Sequence, residues 1–180
     1  MAIMSTRLLA IVVAIIVIIA SLIIVVIYEE MNSKPEAADL ILSPQDLGDG
    51  WVGFDKGTVN IPSFPNVTSS CFRQVQNTTI GVELILYVFN SANDSRAAYD
   101  ELNTLYKTSE DYANFSFLSI GDGLFYYEYG NYPGSNLLVG KTMTMLWIDH
   151  EHFNLEPWFK KSILDTANLQ AEKINREFAG

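Results

Sequence analysis

Apolar residues follow two patterns along this chain of 180 residues. From Leu8 to Tyr28 they run unbroken by any charge, LLAIVVAIIVIIASLIIVVIY; beyond Asp39 they recur at the short spacings of strands and amphipathic helices. At about 1.5 Å rise per residue the first run matches the roughly 30 Å hydrocarbon core of a bilayer. A cleaved secretory signal has a shorter apolar region, roughly 7 to 15 residues, and ends at a small-x-small site. The exit here, Val26-Ile27-Tyr28-Glu29-Glu30, has no such site. The pattern therefore predicts an uncleaved transmembrane helix over 8–28, after a short tail over 1–7, with the lipid bilayer as its partner. A lipoprotein anchor does not fit, because the one cysteine, Cys71, lies far downstream. A pilin-type subunit is the competing reading, although Arg7-Leu8 lacks the small residue after the basic one.

After the run, residues 29–39 (EEMNSKPEAAD) combine charge, Pro35 and no apolar periodicity, the composition of a tether. Residues 40–180 are enough for one domain with a real core. Ser43-Pro44-Gln45-Asp46-Leu47 predicts a helical turn capped by Ser43, with Pro44 at the first position and Gly48 at its end. Trp51 opens an extended stretch toward Pro62. Two strands are predicted between Cys71 and Asn90 around Asn77-Thr78-Thr79, followed by a helix capped by Asn93, Asp94 or Ser95. On that helix Ala98, Tyr99, Leu102, Leu105 and Tyr106 share a face. Strands over 115–120 and 124–129 flank Gly121-Asp122-Gly123, a loop over 130–136 leads into an extended stretch over 137–148, and a helix follows from Pro157 to Phe178. Its stripe is Phe159, Ile163, Ala167, Ala171, Ile174 and Phe178. The predicted fold class is α+β: an N-terminal transmembrane helix, then an antiparallel sheet with two main helices packed on one face.

Charge refines this picture. The net charge is −10, which argues against nucleic acid and against an anionic membrane surface as partners. Basic residues near the run are balanced, Arg7 against Lys34, so the positive-inside rule leaves orientation to the amino terminus and to Glu29 and Glu30. Four Asn-x-Ser/Thr sequons, at Asn66, Asn77, Asn93 and Asn114, are candidate glycosylation sites and favour an extracytoplasmic domain. The expected location is the cell membrane, single-pass, with the N-terminus cytoplasmic. Cys71 cannot form an internal disulfide and is expected to be buried.

The opening Leu42-Ser43-Pro44-Gln45-Asp46-Leu47-Gly48-Asp49-Gly50-Trp51, the Ala97-Ala98-Tyr99 helix, Ile120-Gly121-Asp122 and Leu138-Val139-Gly140-Lys141 carry a resemblance. In that order they are similar to PsbP/Mog1-like lipoproteins and to extracellular sensor domains of some bacterial kinases, over most of residues 40–178. The resemblance implies a ligand- or partner-binding module and names no ligand.

Two candidate sites follow. His150-Glu151-His152 with Glu156 has the His-x-His-x3-Glu spacing of a metal-ligand set, and histidines two apart on a strand face the same way. A solvated strand-to-helix junction accounts for the same residues, with Glu156 placed by the helix dipole before Pro157. The aromatic cluster is the second candidate: Tyr126, Tyr129, Tyr132 and Trp147 could stack on a ligand, whereas strand alternation puts Phe125, Tyr127 and Tyr129 on one face and Leu124, Tyr126 and Glu128 on the other. No nucleophile beside a base, no phosphate-binding loop and no paired-cysteine motif is present, so no catalytic residue and no cofactor is assigned. The expectation is a non-catalytic module for an unknown surface ligand or envelope protein, with oligomers open to it. A structural subunit of a cell-envelope or pilin-like assembly and an unrecognised hydrolase are the alternatives.

Overall fold

The computed structural model describes residues 15–24, 35–55, 64–130, 132–148 and 158–179. The chain divides into two units, Met1–Lys34 and Pro35–Gly180. In the first, residues 15–24 form helix α1, and its large apolar side chains, Ile15 to Ile24, are each at least half exposed. Its one polar side chain, Ser21, turns back to donate to the Val17 carbonyl at 2.8 Å. Among the described residues no helix is long and apolar enough to cross a membrane, and the ends of the 8–28 run lie outside them.

The second unit is an α+β fold built on a seven-stranded antiparallel sheet. Short helices α2 (Ala37–Leu40) and α3 (Pro44–Leu47) precede β1 (Val52–Asp55), β2 (Val67–Gln76) and β3 (Gly81–Phe89). Helix α4 (Ala92–Thr108) then crosses to the far edge, where β4 (Tyr112–Leu118), β5 (Gly123–Tyr129), β6 (Tyr132–Val139) and β7 (Thr142–Ile148) return to pair with β3. Helix α5 (Trp158–Ala179) follows. The sheet order is β1-β2-β3-β7-β6-β5-β4, which joins two meanders through the β3–β7 pair.

The two main helices lie on opposite faces of the sheet, which corrects the expectation that both pack on one. Val82, Leu84, Leu86 and Val88 of β3 meet Ile163, Ala167, Ala171 and Ile174 of α5 in one core. Ile85, Tyr87 and Phe89 meet Ala98, Tyr99, Leu102 and Tyr106 of α4 in the other. The reason is visible in β3 itself. A half-solvated strand alternates apolar with polar, whereas ILYVF is continuous, as a strand covered on both sides requires. Of the α5 stripe, Phe178 is exposed and the Phe159 side chain lies outside the described residues.

The packed body also begins earlier than residue 40. Ala37 is buried, and its N–H donates to Ser69 Oγ at 3.0 Å; a four-residue helix is too short to show a period in sequence. Beyond it, α5 clamps the chain. Fully buried Gln170 accepts from the Leu42 N–H at 2.9 Å and donates to the Leu40 carbonyl at 2.8 Å. Lys173 donates to the Ile41 carbonyl at 2.9 Å and pairs with Asp46 at 2.8 Å. Ser43 caps α3 as expected, and Asp46 completes a capping box with it. Burial alone would raise the Asp46 carboxyl, but hydrogen bonds from Lys173 and Ser43, with the Lys173 charge, bring it down to about 2.

Other boundaries moved for local reasons. The α4 cap is Ser91, whose Oγ accepts from the Asp94 N–H at 3.2 Å; Asp94 sits three residues inside, and neither Asn93 nor Ser95 caps. The expected loop over 130–136 is largely strand. Pro133 lies just beyond the end of the β6–β7 ladder, whose terminal pair is Gly134 with Trp147, a place where a strand tolerates proline. The stretch 137–148 is split by Gly140 at φ 53°, which turns β6 into β7.

Candidate functional site

On the α4 face, one end of the β4–β7 meander forms an aromatic recess of about 220 Å³. Its construction follows from register. Tyr112 on β4 pairs with Tyr129 on β5, Tyr129 with Tyr132 on β6, and Tyr127 with Gly134, which in turn pairs with Trp147 on β7. Antiparallel pairing thus brings aromatics from four strands into one row, and Tyr106 descends on it from the last turns of α4.

The rings lock one another in place. Tyr106 stacks on Tyr112 with centroids 4.3 Å apart, and Tyr127 meets Tyr106 edge-on at 4.7 Å and Tyr112 at 5.4 Å. Tyr129 leans on Tyr112 at 5.1 Å. Gly134 makes room for the Tyr127 ring: a Cβ there would stand 2.6 to 2.8 Å from three of its atoms. Tyr106 and Tyr127 are buried, Tyr112, Tyr132 and Trp147 half-buried, and Tyr129 is exposed at the rim.

The phenols in the floor stay neutral. Burial raises the Tyr106, Tyr112 and Tyr127 hydroxyls above their ordinary range, and hydrogen bonding links Tyr106 to both of the others. Trp147 has its indole N–H tied to the Glu83 carboxylate at 2.5 Å and its ring stacked 6.3 Å from Phe72. The described lining contains no ionisable group other than tyrosine. Chemically it can hold a small group by ring contact and exclude water around it.

Of the residues singled out in sequence, Tyr129, Tyr132 and Trp147 come together here. Tyr126 does not. It points to the α5 face, where its hydroxyl donates to Glu128 at 2.7 Å and the Lys160 ammonium lies 4.4 Å from its ring centroid. A two-residue period separates Tyr126 from Tyr127 and Tyr129, as the alternation already required. Tyr106 and Tyr112 were missed as site residues. Tyr106 reads in sequence only as the end of an apolar helix stripe, and nothing local marks Tyr112.

The remaining candidates separate. His150, His152 and Glu156 lie outside the described residues, among which no group of three or more His, Cys, Asp or Glu could hold a metal ion. Cys71 is buried. Asn66, Asn93 and Asn114 are exposed, whereas Asn77 is half-buried and accepts the Thr79 and Ile80 N–H groups through its side chain. A second depression, lined by Lys160, Lys161 and Asp165 beside Ile120, is an open surface of mixed charge.

No protein-family model matches this chain, and no curated protein sequence matches it significantly.

Proposed function

We propose that this chain is a single-pass, membrane-anchored binding module whose α+β body lies outside the cell and holds a small ligand in the aromatic recess. The recess carries the reading: six aromatic side chains converge on one cavity, five placed by strand register and Tyr106 by α4. An opening persists between them, with Tyr129 and Tyr132 at its edge. The anchor is supported by helix α1, apolar on every side and exposed throughout, with its serine satisfied internally as a lipid environment demands. An outward body accords with the exposed acceptors Asn66, Asn93 and Asn114. The resemblance to PsbP/Mog1-like and sensor-type domains suggests the same class of role.

A screen of small neutral and cationic ring-sized compounds against the full chain in micelles, read by proton shifts of the tyrosines, tests the recess. Binders should perturb Tyr129 and Tyr132 first. If saturating binders move only resonances remote from these two, the recess is not the site.

The structural-subunit reading draws on a different observation. Both edge strands expose large apolar side chains, Val52 and Phe54 on β1 and Phe115 and Phe117 on β4. Yet β4 is blunted: it carries a bulge with Asn114 at φ 53°, and the Lys107 ammonium sits 4.3 Å from the Phe117 ring centroid. Such features oppose edge-to-edge pairing. Sedimentation of the solubilised chain as a concentration-independent monomer would remove this alternative.

A further inference from the structure

We propose that the ligand of the recess is a small quaternary ammonium group, held by cation–π contacts with the tyrosines and Trp147. This rests on the reading of the recess as the binding site and adds the chemistry of its occupant.

Size comes first. At about 220 Å³ the recess is below the roughly 300 to 1,000 Å³ of sites for drug-sized ligands, so it takes a compact group rather than an extended one. Shape comes second. Tyr112 stands at 71° to Tyr127 and at 53° to Tyr129, and Tyr106 at 62° to Tyr127. With Tyr106 and Tyr112 stacked face to face at 13° beneath them, these angled contacts present ring surfaces in more than one plane, whereas a flat aromatic ligand is best served by parallel platforms.

Hydrogen-bonding capacity decides against a sugar. The phenols of Tyr106, Tyr112 and Tyr127 are engaged with one another, and the indole N–H of Trp147 is committed to Glu83. A polyhydroxylated ligand would lose water and find few partners, whereas a methylated ammonium has no N–H to satisfy and is attracted by the electron-rich ring faces.

Charge points the same way. Among the described residues, no lysine or arginine lines the recess. Lys107, adjacent in sequence to Tyr106, lies instead over Phe117 and Phe125, at 4.3 and 5.6 Å from their centroids. The Glu83 carboxylate on the Trp147 N–H adds negative potential to that ring, Asp111 acts on Tyr112, and the chain carries a net charge of −10. A cation is drawn toward such a site and an anion repelled.

The test is calorimetric titration of the full chain in polyoxyethylene-ether micelles, which contain neither choline nor sugar. Choline and tetramethylammonium should bind saturably, and 3,3-dimethylbutanol, the uncharged isostere of choline, at least about tenfold more weakly. Tyr129→Leu and Tyr132→Leu, both at the rim, should each weaken choline about threefold to tenfold, while Tyr129→Phe and Tyr132→Phe stay within about twofold. Doping the micelles with phosphatidylcholine distinguishes a lipid headgroup, which would compete with choline, from a free solute, which would not be displaced. Equal binding of the isostere would overturn the ammonium assignment and leave the recess standing as a binding site. Choline binding unaffected by either Leu variant would place the ammonium elsewhere and overturn the proposal. Absence of saturable binding by all three compounds would overturn it too, and the compound screen of the preceding section then decides separately whether the recess binds anything else.

Discussion

Tyr127 owes its place to the residue across from it having no side chain. Gly134→Ala would drive a methyl group into the Tyr127 ring at 2.6 to 2.8 Å, and both neighbours of that ring, Tyr106 and Tyr112, are packed too closely to yield. The variant should lose about 1 to 3 kcal/mol in urea unfolding, the ordinary cost of overpacking. Combining it with Tyr127→Leu should recover part of that loss, a non-additivity that a double-mutant cycle measures. Asp46 makes a residue-scale prediction of a different kind. Its folded carboxyl titrates near 2 against 3.8 for the ordinary group, so its contribution is complete above about pH 4 and disappears as the pH falls through about 2. Since the pair retains some solvent contact, that contribution is about 1 to 2 kcal/mol. Asp46→Asn should cost about this much at pH 7 and nothing near pH 2, as chemical unfolding at the two pH values would register.

Among elements, α5 has a second task besides covering the sheet. Gln170→Ala would leave the buried Leu42 N–H and Leu40 carbonyl without partners, and the expected loss in chemical unfolding is about 2 to 4 kcal/mol. Gln170→Glu keeps an acceptor for the Leu42 N–H but not the donor for Leu40, and should still be clearly destabilised. That clamp was invisible in sequence, because a glutamine inside a helix with an apolar stripe reads as solvated. The stripe itself was legible in Ile163, Ala167, Ala171 and Ile174, since a period of 3.6 declares a buried face without saying against what. The same limit explains the misplaced helix layer: the apolar run of β3 announces two covered faces, but only the alternate contacts of Leu84 and Ile85 assign α5 to one and α4 to the other. Strand β6 was hidden because Pro133 and Gly134 carry turn chemistry, and there the glycine serves a ring instead of a turn. Half of the recess was readable for the same physical reason. Tyr129 and Trp147 lie in strands whose period is plain, and Tyr132 stood out as an aromatic in an expected loop, whereas Tyr106 and Tyr112 reach the recess through a helix crossing that no local pattern encodes.

At the scale of the whole molecule, buried phenols on both sheet faces tie stability to alkali. Burial raises Tyr87 and Tyr99 to about 12 and holds Tyr106, Tyr126 and Tyr127 above their usual range, so none of the five ionises while the fold is intact at pH 10. Their contribution is complete below about pH 10 and is lost as the pH rises through the folded values. Phenolate absorbance from these five should therefore appear late and cooperatively, coincident with loss of circular dichroism. Topology has an equally direct check: protease added to intact cells should remove the body, and full protection would reverse the proposed orientation. If the proposed anchor holds the chain in a membrane, the clamp on residues 40–46 acquires a further meaning. Any pull between membrane and body enters the fold at Pro35 and passes through α2 to Gln170 and Lys173. Load would thereby be shared with the C-terminal helix before it reaches β1, through the Gln170 and Lys173 contacts to residues 40–46.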